Sequence, residues 1–156
     1  MESPLLECRN ISKFFNKKGN ITSVLNNVNL SVNEGETILI QGKSGAGKSV
    51  LLSLIAGLDK PTSGEIYFRN QLLHSLTHKE LTKLRNEKIG IIFQNFNLIS
   101  YLTAVENVEA ALISSDIFYK ESKEIAENIL EQLELTDSLN NYPGEMSMGE
   151  QQLPVH

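Results

Sequence analysis

The chain has 156 residues, 40% of them hydrophobic and 21% charged, with a formal net charge of -5, which allows one domain-sized core and excludes a disordered acidic tail. The mildly acidic balance gives no reason to expect a nucleic-acid-binding face. Cys8 is the only cysteine, so an intrachain disulfide and a cysteine-based zinc cluster are excluded, and a reducing compartment fits best.

Met1-Glu2-Ser3-Pro4 lacks the basic region and long apolar run of a secretory signal. No apolar stretch approaches the roughly 18 residues that span a bilayer, so any membrane connection is expected to run through a partner. Leu5 to Cys8 reads as a short edge strand, followed by Phe14 and Phe15, one of which should enter the core. The polar stretch Asn16 to Asn20 reads as a turn. Val28, Leu30 and Val32 alternate with Asn29, Ser31 and Asn33, the period of a half-buried strand. Asn33-Glu34-Gly35 turns the chain into Glu36 to Gln41, which predicts a more deeply buried strand running into Gly42. Ser49 to Leu58 has apolar residues at helical spacings and predicts a helix buried against a sheet, ending at Gly57. Asp59 to Gly64 is rich in turn residues, and Ile66 and Phe68 alternate with Tyr67 and Arg69 as a further strand.

Thr77 and Glu80 form a capping-box pattern, so a polar helix is expected to about Glu87, followed by a compact strand from Ile89 to Phe93 that ends at Gln94. Thr103 and Glu106 repeat the pattern ahead of Val105, Val108, Ala111 and Leu112, and Tyr119 to Leu135 carries Ile125, Ile129, Leu130 and Leu133 at helical spacing. Two helices here suggest a small helical lobe inserted after the strand-rich core.

The strongest motif is Gly42-Lys43-Ser44-Gly45-Ala46-Gly47-Lys48-Ser49, a full G-x-x-x-x-G-K-S pattern between a predicted strand and a predicted helix. Glycines at 42, 45 and 47 let the backbone approach an anion closely, and successive N–H groups up to Val50 face it from the helix N-terminus. Lys48 is placed to reach the β- and γ-phosphoryl oxygens and Ser49 to hold Mg²⁺. The motif alone says nucleotide binding and leaves a transporter ATPase, a GTPase, a small-molecule kinase and a repair protein open.

Gly57-Leu58-Asp59-Lys60-Pro61-Thr62-Ser63-Gly64-Glu65-Ile66 and Lys88-Ile89-Gly90-Ile91-Ile92-Phe93-Gln94-Asn95-Phe96-Asn97-Leu98 resemble the ATP-binding subunits of ATP-binding cassette (ABC) transporters. They are most similar to the branch that powers lipoprotein release, macrolide export and antimicrobial-peptide export. The fold this implies is α/β: a P-loop NTPase core of the ABC type with an antiparallel β edge and an inserted small helical lobe, the C-terminal part of the core being absent. Residues 1–95 would be the partial core and residues 96–156 the helical lobe with its degenerate signature. The resemblance implies ATP and Mg²⁺ as cofactors and ATP hydrolysis powering export. It gives Lys48 and Gln94 catalytic roles, Ser49 and Gln94 to the metal, and Phe15 to the adenine ring. Asn95 to Asn107 would border the groove for a membrane-spanning permease subunit, on the cytoplasmic face of the cell membrane. A homodimer, or pairing with another ABC subunit, is implied, and no nucleic acid.

The sequence also departs from that family. Met146-Ser147-Met148-Gly149-Glu150 stands where the family has Leu-Ser-Gly-Gly-Gln or Leu-Ser-Gly-Gly-Glu, the signature that clamps the γ-phosphate held by the opposite subunit. Ser147 and Gly149 keep a hydroxyl and a flexible N–H, while Met148 puts a long side chain where close approach is needed, so a weakened dimer is expected. Pro154 falls where the family helix continues. The family's aspartate-ending strand, water-polarising glutamate and switch histidine have no counterpart before His156. His74, His78 and His156 read as solvated surface residues. The alternative reading is a truncated, hydrolysis-deficient nucleotide-binding or regulatory module.

Overall fold

The computed structural model describes residues 3–113 and 119–152; Leu153, Pro154 and His156 lie outside them. Two compact units divide the chain, residues 1–85 and residues 86–156, a boundary earlier than the one expected after residue 95.

The first unit is built on a long β-hairpin, β1 (Leu6–Lys17) and β2 (Asn20–Val32). Lys18 and Gly19 both have positive φ, 52° and 85°, the twist that a two-residue turn needs to match right-handed strands. β1 pairs antiparallel with β2 on one side and with β3 (Ser63–Phe68) on the other. β4 (Gln71–Leu72) completes a four-stranded sheet in the order β2-β1-β3-β4. The segment read as an edge strand is therefore the start of an interior strand: the hairpin supplies its first partner and β3 its second. Bulges interrupt the ladder around Asn10 and Asn27, which adopt φ 51° and 47°. The bulged backbone is satisfied by side chains, Asn10 N–H donating to Asn29 Oδ1 at 2.9 Å and Asn27 N–H to Ser12 Oγ at 3.0 Å.

Helix α1 (Lys48–Ile55) lays Leu51 and Leu54 on this sheet, joining Leu6, Cys8, Ile11, Leu25, Ile66 and Leu73 in one core. Each fully buried aliphatic side chain contributes about 1.5–3 kcal/mol. The helix ends as expected at Gly57, φ 65°. Gly57 N–H bonds Leu54 O at 3.0 Å and Leu58 N–H bonds Ser53 O at 2.9 Å, the paired bonds of a Schellman turn. Thr77 and Glu80 cap α2 (His78–Lys88) reciprocally, with Thr77 N–H to Glu80 Oε2 at 2.8 Å and Glu80 N–H to Thr77 Oγ1 at 3.3 Å.

In the second unit, Thr103 and Glu106 cap α3 (Ala104–Ile113) in the same way. It packs against α4 (Tyr119–Gln132) through Ala104, Val105, Val108, Ala126 and Leu130. A short α5 (Met148–Gln152) follows.

Two expected strands do not form. Glu36–Gln41 and Ile89–Phe93 pair with nothing in the sheet, whose strands bond only to one another. Leu39 is 76% and Ile92 64% exposed. Strands buried on both faces of a parallel sheet are joined by long crossovers, so their partners come from distant sequence.

Candidate functional site

The turn from Gly42 into α1 is shaped by backbone geometry that only glycine tolerates. Gly47 caps the helix with φ 85° and lies against β2; a Cβ there would sit 2.8 Å from the Val24 carbonyl. The first intrahelical bond runs from Leu51 N–H to Gly47 O at 2.9 Å, so the N–H groups of Lys48, Ser49 and Val50 have no acceptor within the helix. No side chain caps them, and no acidic residue occupies the first turn. The Lys48 ammonium reaches back across the loop, donating to the Gly42 carbonyl at 2.7 Å and the Lys43 carbonyl at 2.9 Å. Ala46 N–H closes a turn onto Lys43 O at 3.1 Å. Lys43, Ser44, Gly45 and Ser49 are exposed. The arrangement is an exposed loop of backbone donors and one ammonium, with the positive end of the helix behind it.

Those groups fit a polyphosphate. Donors without helical acceptors and a lysine centred on the loop suit its oxygens, and the exposed Ser49 suits an ion carried by the phosphates. Among the described residues no cluster of three His, Cys, Asp or Glu could hold a metal by itself, and Mg²⁺ bound mainly through substrate phosphates needs no such cage.

Phe14 and Phe15 lie in β1 and are 39% and 43% exposed. The expectation that one of them enters the core fails; the core positions nearby are taken by Ile11 and the backbone-bonded Ser12. The Lys13 ammonium stands 5.3 Å from the centre of the Phe15 ring and pairs with Asp59 Oδ2 at 2.7 Å. This hydrogen bond from Lys13 holds the Asp59 carboxyl below its usual range, with the Lys60 N–H adding to it. Lys13 and Asp59 were missed in the sequence; the available signal was that residues 13 and 15 of one strand share a face.

In the second unit, Gln94 is exposed in an irregular segment rather than at the end of a strand. Ser147 caps α5: its N–H bonds Glu150 Oε2 at 2.8 Å and its Oγ accepts from Glu150 N–H at 3.3 Å. Glu150 also accepts from the buried Ser138 hydroxyl at 2.8 Å, and these bonds, Ser147 first, hold its carboxyl below the usual range. Met148 is 75% exposed. A Cβ on Gly149 would meet nothing within 4 Å, so nothing inside the described chain requires glycine there. The S-x-x-E spacing of Ser147 and Glu150 is a third capping box, legible in the sequence but overlooked. Also unforeseen is Asn107, whose side-chain amide accepts from Ile99 N–H at 2.7 Å and donates to the Ile99, Leu102 and Thr103 carbonyls at 3.2, 3.1 and 2.9 Å. His74 and His78 are exposed.

A sequence profile for the ABC transporter family matches residues 25–154. The chain belongs to the ABC transporter family. It is 43% identical over 148 residues to the lipoprotein-releasing system ATP-binding protein LolD of Buchnera aphidicola, covering 95% of this chain and 65% of that protein. It is 38% identical over 152 residues to the macrolide export ATP-binding/permease protein MacB of Wolinella succinogenes, covering 97% of this chain and 24% of MacB. A solved dimeric structure of the ATP-binding cassette MJ0796, in a post-hydrolysis state bound to ADP and Pi, superposes with a TM-score of 0.86 at 42% identity, covering 96% of this chain and 66% of that one; the protein of that name is from Methanocaldococcus jannaschii. The chain thus spans about 65% of the length of LolD. Its fold is the α/β fold of ABC cassettes over the matched region, with an antiparallel sheet beside the loop-bearing helix. No helix among the described residues is long and apolar enough to cross a membrane.

Proposed function

We propose that this chain binds ATP·Mg²⁺ and is the nucleotide-binding part of an ABC exporter that uses ATP hydrolysis to drive transport. One observation carries the reading: the Lys48 ammonium and the acceptor-free N–H groups of Lys48, Ser49 and Val50 converge on the turn from Gly42 to Gly47. On binding, Lys48 exchanges two loop carbonyls for β- and γ-phosphoryl oxygens, while the N–H groups of Gly45 to Val50 take the remaining phosphate charge. Ser49 would hold Mg²⁺, which would neutralise the charge developing on the phosphoryl oxygens. Phe15 offers its exposed ring to the adenine.

In the assembled protein, Gln94 senses the γ-phosphate. Ser147 and Gly149 of a second subunit close over it, a role that suits a glycine with open space around it. Names and structures of similar proteins support the wider reading: LolD and MacB are named for lipoprotein release and macrolide export, and MJ0796 is dimeric with ADP and Pi. A membrane-spanning permease subunit is the partner, which would bring the chain to the cytoplasmic face of the membrane. Residues 1–95 would form the nucleotide-binding core and 96–156 the helical lobe.

Isothermal titration of the chain with ATP·Mg²⁺ tests the reading. Saturable binding should weaken about thirtyfold or more in Lys48→Ala, equivalent to about 2 kcal/mol for the loss of a charge-assisted contact. Equal binding by wild type and Lys48→Ala would refute it.

A further inference from the structure

Lys13 joins two parts of the first unit that are distant in sequence. Its ammonium donates to the Lys60 carbonyl at 2.6 Å, pairs with Asp59 at 2.7 Å and stands 5.3 Å from the Phe15 ring centre. Its side chain is only 12% exposed, so these contacts are shielded more than those of an ordinary surface lysine. Asp59 is oriented in turn by the Lys60 N–H on Oδ1 at 2.7 Å. Two neighbouring bonds stitch the same segments together, Phe14 N–H to Thr62 Oγ1 at 3.1 Å and Thr62 N–H to Ser12 O at 2.9 Å. Asp59 follows directly on the Schellman turn that ends α1, and α1 begins with Lys48. Lys13 therefore links the strand carrying Phe15 to the far end of the helix that carries the phosphate loop.

We infer that Lys13 is a positioning residue for the nucleobase: it steadies Phe15 as one wall of the base site and sets the distance of that wall from the phosphate loop. The inference rests on the reading of Phe15 as the base platform. An ammonium near one side of the ring restricts its rotation and leaves the other side for a base to stack on. Without the cation, the ring must be ordered when the nucleotide binds, and affinity falls by that ordering cost. The consequence is selective. Lys13 governs affinity for the base-bearing end of the nucleotide and leaves the phosphates to Lys48 and the loop.

Titrating the full chain and its variants with ATP·Mg²⁺ and with tripolyphosphate·Mg²⁺, which has no base, tests this. Lys13→Met should weaken ATP about three- to tenfold and change tripolyphosphate by less than about twofold. Lys13→Arg, which keeps a cation for both Asp59 and the ring, should restore ATP binding to within about twofold of wild type. Should Lys13→Met fail to fold, Asp59→Asn makes the same test, with a smaller loss confined to ATP. An equal loss for both ligands, no loss for either, or no recovery in Lys13→Arg overturns the inference. Phe15→Ala separates the two readings: if it fails to distinguish ATP from tripolyphosphate, Phe15 is not the platform. If it distinguishes them and Lys13→Met does not, only the role of Lys13 falls.

Discussion

The hairpin from Leu6 to Val32 and the runs Glu36–Gln41 and Ile89–Phe93 are all rich in β-formers, yet only the hairpin is paired. The difference lies in where a partner comes from. A two-residue turn delivers β2 to β1 at once, and β3 returns to the open side of β1. The unpaired runs have the composition of strands covered on both faces, and such strands depend on neighbours supplied from elsewhere in a fold. Composition specifies the readiness to pair, and topology decides whether pairing occurs.

The contrast can be broken or sharpened by matched substitutions. The largest effect is expected at Gly64 in β3, where φ is 91° and a Cβ would collide with the Asn10 carbonyl. Gly64→Ala should cost about 4 kcal/mol or more in urea unfolding, since a backbone collision cannot be relieved by moving a side chain. Gly90→Ala, in the unpaired run with open space around it, should stay within about 0.5 kcal/mol. Next, Ile11→Ala removes a side chain with 0% exposure and should cost about 3 kcal/mol, whereas Leu39→Ala should be nearly silent. Comparable losses at Leu39 and Ile11 would mean that the unpaired run is packed in solution.

A smaller effect is expected from pH. The folded Asp59 carboxyl titrates below its ordinary value of 3.8 because of Lys13. The pair therefore stabilises the fold fully above that value, and the contribution disappears as pH falls through the lower folded one. Asp59 is 44% exposed, so solvent screening limits the gain to at most about 1 kcal/mol. Urea unfolding of wild type and Asp59→Asn should differ by that amount near neutrality and converge in acid; a difference that grew in acid would contradict the assignment. Cys8 gives the smallest signal. It is 2% exposed, and burial pushes its thiol up to about 11, so a disulfide reagent at about pH 8 should label it only as fast as the unit opens.

Features set by short-range rules were legible in the sequence. The capping boxes of Thr77 and Thr103, the stop at Gly57 and the alternation of Val28, Leu30 and Val32 each follow from residues within a few positions of one another. The glycine-rich turn from Gly42 into α1 was legible for the same reason, because its residues are contiguous. What escaped depends on contacts across sequence. The interior place of β1 required β3, the exposure of both Phe14 and Phe15 depended on the bulged hairpin, and the Lys13–Asp59 pair spans the whole of α1. Ser147 is different: its spacing to Glu150 is local, and it makes Ser147 a helix cap as well as the counterpart of a signature serine.

The most direct test of the central claim is a titration of the isotope-labelled chain with ATP·Mg²⁺ followed through its backbone amide resonances. The account predicts the largest shifts at Gly45 to Val50, where the N–H groups face the phosphates, and their loss in Lys48→Ala. Binding that left those amides unmoved and shifted others instead would contradict it.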